Sequence, residues 1–276
     1  MSLSVVEGNV RRSRPVALVV GDDLDSVVLP HAEARVGVVC HSFNGHVVEL
    51  HLQNQYGDCN SFDDSYAHRA CEKNMLDGKI NPSLLNLEQL SYLDLSHNDF
   101  GWIQIPSFIS SLRTLRYLNL SGARFGGLIP PGLGNLSDLR TLDLGGSSNI
   151  IRAENVRWLS DLFFLQHLDL SSANLSQASD WLQVTNMLPS LVDLRLSDCN
   201  LDLSVSLPNM VNFTRLAALD ISYNRPFRSP LLINWLSSGL RFLNLGGCGI
   251  SGMLMYLFHS SESVRNLDLN REDKVT

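Results

Sequence analysis

The segment that most resembles a cofactor-binding motif is rich in glycine and lies late in the chain. Residues 247–252 read G-C-G-I-S-G and match G-x-G-x-x-G, the loop that lets a backbone approach the pyrophosphate of a dinucleotide. An apolar run, Leu243–Leu245, precedes this loop, as it does in such units. Leu240, Leu243, Leu245 and Cys248, however, occupy positions that recur through the chain without these glycines. We therefore interpret the glycines as part of a turn and expect no nucleotide cofactor.

A second candidate chemistry is metal binding near the start of the chain. Three histidines and three cysteines lie there: His41, His46, His51, Cys40, Cys59 and Cys71. No C-x-x-C or H-x-x-x-H spacing supports a tetrahedral site among them. We favour a disulfide between Cys59 and Cys71 in an oxidising compartment, although the spacing alone does not prove it. No metal or other cofactor is expected.

Catalysis and nucleic-acid binding are also disfavoured. No G-x-S-x-G motif occurs, and the many neighbouring serines, aspartates and histidines fall at positions that a repeat would turn outward. The net charge of −7 opposes binding to a phosphate backbone, which requires clustered lysine and arginine. The chain is therefore predicted to be non-enzymatic and to bind no nucleic acid.

One pattern, L-x-x-L-x-L-x-x-N-x-L, organises the chain. Eight copies begin 24 to 26 residues apart, at Leu90, Leu115, Leu139, Leu165, Leu191, Leu216, Leu240 and Val264. Leucines two apart point to one face of a short strand, and a single repeat cannot bury that face alone. Stacking the repeats buries it, so the pattern predicts an α/β leucine-rich-repeat solenoid. We expect a curved, right-handed stack with a concave parallel sheet and a convex side of irregular or 3₁₀ turns, with short helical turns near Asn155–Leu162 and Trp181–Met187.

The ninth position of the repeat holds small or polar residues. Asn98 and Asn224 stand there in two copies, where an inward amide can pair with backbone groups of the turn. Cys199 and Cys248 stand there in two others. Two repeats separate these cysteines, which is beyond disulfide reach, so both are predicted to be free and buried.

The repeats resemble those of plant receptor-like proteins and receptor kinases. The extended family signature G-x-I-P is present at residues 127–130, and a partial copy stands at Ile105 and Pro106. Residues 37–40, G-V-V-C, and residues 45–52, G-H-V-V-E-L-H-L, resemble half of the family's amino-terminal cap. We accordingly divide the chain into an atypical, disordered leader (1–35), a partial cap with a degenerate first repeat (36–88), and leucine-rich repeats whose last copy is incomplete (89–276).

This resemblance implies a recognition module at the cell surface or outside the cell. Its partner would be a peptide, an elicitor or another protein bound on the concave face, with a co-receptor kinase as a further candidate. Two alternatives remain open, namely a secreted inhibitor of a foreign enzyme, as in polygalacturonase inhibitors, and a truncated gene product without function. No apolar stretch approaches the ~20 residues of a membrane span, and no convincing signal peptide is found. Ends without complete caps are expected to associate.

Partner-binding residues are predicted on the concave face of the solenoid. They are Tyr92, Asp94, Tyr117, His167, Asp169, Asp193, Arg195, Tyr223, Phe242 and Asn244. Exposed aromatic residues among them would contribute most of the contact area, while the aspartates could equally just solvate the sheet. N-glycosylation sequons stand at Asn119, Asn135, Asn174 and Asn212, a number close to chance expectation.

Overall fold

The computed structural model describes residues 17–18, 27–28, 37–59, 65–146, 150–203, 215–225, 239–249 and 266–268. Ten strands form one sheet: β3 Gly37–Cys40, β4 Val47–His51, β5 Tyr92–Asp94, β6 Tyr117–Asn119, β8 Thr141–Asp143, β10 His167–Asp169, β11 Asp193–Arg195, β12 Ala218–Asp220, β13 Phe242–Asn244 and β14 Asn266–Asp268. Their order across the sheet is β14-β13-β12-β11-β10-β8-β6-β5-β4-β3. All neighbours from β4 to β14 pair in parallel, and β3 pairs antiparallel with β4. The predicted leucine-rich-repeat solenoid is confirmed.

Each strand of the repeat is three residues long and centred on the second leucine of the pattern. In β6, for example, Leu118 is fully buried, whereas Tyr117 and Asn119 on either side are partly exposed. The registers align the central leucines of successive strands, such as Leu118 with Leu142. Because a buried leucine contributes about 1.5–3 kcal/mol, this continuous column drives the stacking of the repeats.

The side opposite the sheet is built from short turns. 3₁₀ helices span Pro82–Asn86, Ser107–Ser111, Pro131–Asn135 and Arg157–Asp161. Two α-helices, α1 (Ser65–Glu72) and α2 (Trp181–Thr185), complete the described helical segments. The last 3₁₀ helix and α2 lie within the two segments for which helical turns were predicted.

The G-x-I-P signature has a direct structural explanation. Gly127 has a φ of 75°, which favours glycine, and it begins the two-residue strand β7 (Gly127–Leu128). Ile129 is buried, and Pro130 then caps the following 3₁₀ helix. A second parallel sheet forms where β7 pairs with β9 (Ile151–Arg152).

The asparagines of the ninth position join successive repeats. The Asn98 amide nitrogen donates to the carbonyl of Leu52 at 2.8 Å and to that of Leu95 at 2.9 Å, while its oxygen accepts from the Leu76 amide at 2.8 Å. Asn224 makes the same kind of contacts, donating to the Leu196 carbonyl at 2.7 Å. Both side chains are buried, so their polar atoms are satisfied inside the core as the sequence predicts.

Cysteine at the same position supplies a weaker version of this contact. The thiols of Cys199 and Cys248 are free, buried and directed at the carbonyls of Leu170 and Ile221, each at 3.1 Å. Burial raises the pKa of the Cys248 thiol to about 11 and that of Cys199 still further. Both therefore stay protonated near neutral pH and act as packing residues.

The beginning of the solenoid is closed by a small cap. A disulfide joins Cys59 to Cys71 of α1, and both sulfurs are buried beside Met75. Asn54 fixes the cap to the first repeat by donating to the Cys71 carbonyl at 3.3 Å. Of the segment predicted to be a disordered leader, residues 1–35, only β1 (Ala17–Leu18) and β2 (Val27–Val28) are described, and they pair antiparallel. The rest of that segment lies outside the described residues.

The turn after each strand contains a residue with a left-handed backbone. The series is His97, Gly122, Gly146, Ser172, Asp198, Tyr223 and Gly247, with φ between 54° and 76°. A Cβ at Gly247 would lie 2.7 Å from the ring of Tyr223, so glycine leaves room for that ring, while larger residues adopt the same left-handed backbone in other repeats. The first glycine of G-C-G-I-S-G thus belongs to the repeat, as expected, and the last, Gly252, lies outside the described residues.

Candidate functional site

Two rows of side chains project from the sheet, because each three-residue strand contributes the residue before its central leucine and the residue after it. We call the residues before the central leucines the first row: Tyr92, Tyr117, Thr141, His167, Asp193, Ala218 and Phe242. The second row follows those leucines: Asp94, Asn119, Asp143, Asp169, Arg195, Asp220 and Asn244. Together the two rows form the sheet face. The parallel register aligns neighbours of each row, so side chains from successive repeats contact each other.

Aromatic rings stack at the amino-terminal end of the sheet face. The rings of Tyr92 and Tyr117 lie 4.0 Å apart between centroids with an interplanar angle of 5°, and His51 packs on Tyr92 at 4.3 Å. Burial, and then the hydrogen bond with Tyr117, raises the pKa of the Tyr92 hydroxyl above its usual range. The two predicted tyrosines are therefore brought together as one rigid, neutral, partly exposed surface.

The acidic and amide side chains of the second row stabilise the turns that follow them. Oδ1 of Asp94 accepts from the backbone and the hydroxyl of Ser96, at 2.9 Å and 2.7 Å. Asp169 accepts from the Ser171 amide at 2.8 Å, and Asn244 from the Gly246 amide at 3.0 Å. These contacts are Asx turns, in which the side chain pairs with the backbone two residues on. With 6% of its surface exposed, Asp94 is closed to a partner, contrary to its predicted role.

Charge on the sheet face is mostly negative and is concentrated at its centre. Arg195 is exposed and pairs with Asp193 of its own strand at 3.1 Å. Asp143 and Asp169 are adjacent in the register of β8 and β10, and both are partly buried. Burial, and then repulsion from Asp169, raises the pKa of the Asp143 carboxyl to about 6, and burial also raises that of Asp169.

A cleft of about 490 Å³ opens at the carboxyl ends of β5, β6, β8 and β10. Its lining is Gly57, Asp58, Met75, His97, Trp102, Ser121, Gly122, Arg124, Asp143, Gly145, Gly146, Asp169 and Ser171. Asp143 and Asp169 belong both to the second row and to this lining, so the cleft adjoins the sheet face. The sequence analysis missed the cleft, because most of its lining comes from turns rather than from strands.

The remaining predicted binding residues lie at the other end of the sheet. Phe242 and Asn244 stand in the first and second rows of β13, and Phe242 is exposed. His167 is exposed in β10, 3.8 Å from Asp193. Tyr223 is 45% exposed but stands in the turn after β12, against Gly247, rather than on a strand. The structure therefore places these side chains on the same solenoid as the tyrosine stack but not in contact with it.

Metal-binding and membrane-spanning features were sought in the described part of the chain. No group of three or more histidine, cysteine, aspartate or glutamate side chains there could hold a metal ion. Likewise, no described helix is long and apolar enough to cross a bilayer. Neither feature therefore contributes to the candidate site.

Sequence comparison relates these repeats to known proteins. The Leucine Rich Repeat family model matches residues 89–112 and 114–136. The tomato protein named Receptor-like protein EIX1 (Solanum lycopersicum) is 39% identical over 245 residues, which cover 87% of this chain and 23% of the relative. The chain is a leucine-rich-repeat protein, and over most of its length it is similar to a plant receptor-like protein. It spans less than a quarter of the length of the EIX1 protein.

Solved structures support the same fold for this chain. The PEPR1–AtPEP1 complex matches with a TM-score of 0.53 and 21% identity, covering 74% of this chain and 30% of that one. A plant ice-binding protein matches with a TM-score of 0.55 and 23% identity, covering 76% of this chain and 60% of that one. At these identities the likeness shows the solenoid fold and does not distinguish between functions.

The sequons of the chain differ in accessibility. Asn135 is exposed at the end of a 3₁₀ helix, away from the sheet face. Asn174 is half-buried, and its side-chain oxygen accepts from the Ser176 amide at 3.1 Å. Asn119 stands in the second row and is held by Tyr117 and Ser121. Asn212 lies outside the described residues. Glycosylation at all four stays a prediction, with Asn135 the most accessible of the three that are described.

Proposed function

We propose that this chain is a recognition segment of a plant cell-surface receptor-like protein and that it binds a peptide or a protein segment along the sheet face. The observation that carries this proposal is the continuity of the two rows. They present one aligned surface across seven repeats, from Tyr92 to Phe242 and Asn244. An extended ligand can contact such a surface through successive side chains.

The chemistry of the sheet face favours a ligand that is partly aromatic or apolar and partly basic. Tyr117 offers a ring that is already held by stacking on Tyr92, so little side-chain entropy is lost on binding. Phe242 offers a second exposed ring. Between them the charged positions are mainly acidic, which steers a cationic partner toward the sheet.

The similarity to receptor-like proteins supports a role in signalling. Among the similar curated proteins, four with more than half of this chain aligned are named receptor-like proteins, from tomato and Arabidopsis thaliana. Another is named a putative disease resistance protein. A co-receptor kinase is a further partner that this similarity suggests. Its contact surface is not assigned.

A peptide-display selection on the purified chain would test the proposal. Peptides selected on the wild-type chain are measured by biolayer interferometry against Tyr117→Ala and Phe242→Ala. We expect each substitution to weaken most selected peptides about tenfold or more, since a central aromatic contact is worth about 2 kcal/mol. The matched control is Phe164→Ala, which removes an aromatic side chain that is 56% exposed in the turn before β10, off the sheet face.

The opposite outcome of the peptide measurements would contradict the proposal. Peptides that lose binding to Phe164→Ala but bind both sheet-face variants as tightly as the wild type would place recognition elsewhere. Thermal unfolding of each variant separates a lost contact from a lost fold, because substitutions at exposed positions normally change stability by less than about 0.5 kcal/mol.

A further inference from the structure

We propose that the cleft at the carboxyl ends of β5, β6, β8 and β10 is a subsite for a positively charged side chain, lysine or arginine, of the bound ligand. This inference rests on the proposed recognition function and names the ligand chemistry at one place within it. Three independent features of the cleft support it, namely its shape, its charge and its aromatic wall.

The shape of the cleft arises from glycines in two adjacent repeats. The left-handed turn position carries side chains at His97 and Ser172 but is bare at Gly122 and Gly146 between them. Gly145 is also bare, and a Cβ there would lie 3.1 Å from a carboxylate oxygen of Asp169. The floor of the cleft is consequently backbone at Gly145 and Gly146, whereas the ring of His97 lies over Gly122, and the volume of the cleft is large enough for a long side chain.

The two aspartates make the charge of the cleft negative, and Arg195, which stands next to Asp169 in the register, offsets that charge only in part. A Cβ built on Gly145 would lie 3.3 Å from an oxygen of Asp143, so both carboxylates converge on this glycine. The one arginine of the lining, Arg124, is already bound to Asp99 at 2.7 Å. Neither Asp143 nor Asp169 has a described salt-bridge partner, and an incoming cation would offset the cost of their burial.

Aromatic side chains complete the wall. Trp102 lines the cleft and is 46% exposed, which leaves part of its indole available to a ligand. His97 covers the opposite side, with its ring over Gly122. Indole attracts guanidinium and ammonium groups through its π face, most strongly where water is excluded. The indole of Trp102 and the two carboxylates therefore both favour a positively charged group.

Other ligand classes fit the cleft less well. An anion would meet two partly buried carboxylates without an unpaired cation to bind it. A divalent metal ion generally requires more than two protein oxygen ligands, and no third carboxylate, histidine or cysteine joins this pair in the described residues. A single organic cation needs only the pair and an apolar wall.

The test uses small probes that need no other part of a ligand. N-acetyl-arginine amide, N-acetyl-lysine amide and the neutral isostere N-acetyl-citrulline amide are titrated into the full chain and followed by two-dimensional NMR. We expect saturable binding of arginine or lysine in the millimolar range and binding of citrulline at least about tenfold weaker, because citrulline lacks the charge that strengthens hydrogen bonds to the two carboxylates. The ratio of the first two probes reports whether guanidinium or ammonium is preferred.

Variants assign the binding to the cleft. Asp143→Asn combined with Asp169→Asn should abolish the preference for the cationic probes over citrulline. Gly146→Asn should weaken them about fivefold or more, because asparagine tolerates the left-handed turn and fills the floor. The matched control is Asp220→Asn, since Asp220 accepts from the Ser222 amide as Asp169 does from the Ser171 amide, but lies outside the cleft.

Three outcomes would overturn the inference: no saturable binding of either cation at tens of millimolar, equal binding of citrulline, or unchanged binding by the double variant. The proposed function can fail separately. Peptides that bind the sheet face without any dependence on Asp143 and Asp169 would refute only the subsite. Probe binding that depends on these aspartates, together with no peptide binding to the sheet face, would refute only the wider proposal.

Discussion

Replacing Asp143 by asparagine should stabilise the chain, by an amount that is small at pH 4 and grows as the pH rises to about 6. The carboxyl of Asp143 has its pKa raised from 3.8 to about 6, first by burial and then by repulsion from Asp169. The folded state therefore holds this proton more tightly than the unfolded state does. Well below pH 3.8 the Asp143 carboxyl does not lower the free energy of unfolding. The loss of stability grows between pH 3.8 and 6 and is fully present above pH 6.

The size of the stabilisation follows from the difference between the pKa values of Asp143 in the unfolded and folded states. A tenfold change in proton affinity corresponds to about 1.36 kcal/mol, so an interval from 3.8 to about 6 corresponds to about 3 kcal/mol. Asparagine keeps the oxygen that accepts from the Gly145 amide, as Asn119 and Asn244 do for the turns after their own strands. We expect Asp143→Asn to raise the free energy of unfolding by about 2–3 kcal/mol at pH 7.5 and by about 0.5 kcal/mol at pH 4.

The assay is urea unfolding of the wild type and the variant at both pH values, followed by circular dichroism. Asp220→Asn serves as the control, because it removes another second-row aspartate whose oxygen accepts from the Ser222 backbone. It shows how much stability changes when any such charge is lost. Equal stabilisation at pH 4 and pH 7.5, or destabilisation at pH 7.5, would show that burial of this carboxylate is not what perturbs its protonation.

Three further predictions concern the core and the cysteines. Asn98→Ala should lower the free energy of unfolding by about 2–4 kcal/mol in urea, since it leaves several buried backbone groups unpaired, and a loss below 0.5 kcal/mol would contradict this. Leu194→Ala should cost about 2–5 kcal/mol by opening a cavity, and a neutral effect would place this side chain outside the core. Titration with a thiol reagent should detect only Cys40 in the native chain, then also Cys199 and Cys248 in denaturant, and all five cysteines only after reduction. Five reactive thiols without reduction would exclude the disulfide.

The strands and the core were predictable from the sequence because their cause repeats. A leucine that must be buried recurs at a constant period, and only stacking buries all copies at once. The strands around Leu118 and Leu194 accordingly stand where the pattern places them, starting one residue before each leucine. The amide of Asn98 was predictable for the same reason, as a buried polar group must be paired.

The role of the second row was less predictable, because an outward aspartate can face solvent, a partner or its own backbone. In the structure the Asp94 carboxylate accepts from the backbone and the hydroxyl of Ser96. A serine two residues after the aspartate is the sequence feature that indicates this contact. Asp169 is likewise followed by Ser171. An aspartate followed at this distance by serine or glycine is an Asx turn candidate before it is a binding residue.

The cleft was missed because its cause is a difference between repeats rather than their common pattern. Gly122 and Gly146 are individually unremarkable turn glycines, and their effect appears only when they are compared with His97 and Ser172 in the flanking repeats. Position-by-position comparison of the turns would have shown two bare positions in succession. The burial of Asp143 beside its neighbour could not have been seen in that way, since it depends on how closely the strands and turns pack.

These differences between repeats are also the best guide to function in such a chain. Packing explains the inward residues completely, so they carry no information about a ligand. Packing does not explain why two aspartates are placed side by side, partly buried and without a salt bridge in the described residues, because asparagine would form the same turn without their mutual repulsion. A feature that lowers stability while a harmless alternative exists is the kind of local conflict expected at a binding site. If Asp143→Asn does stabilise the chain as calculated, the cost of keeping the carboxylate will have been measured, and a bound cation is the simplest group that could offset it.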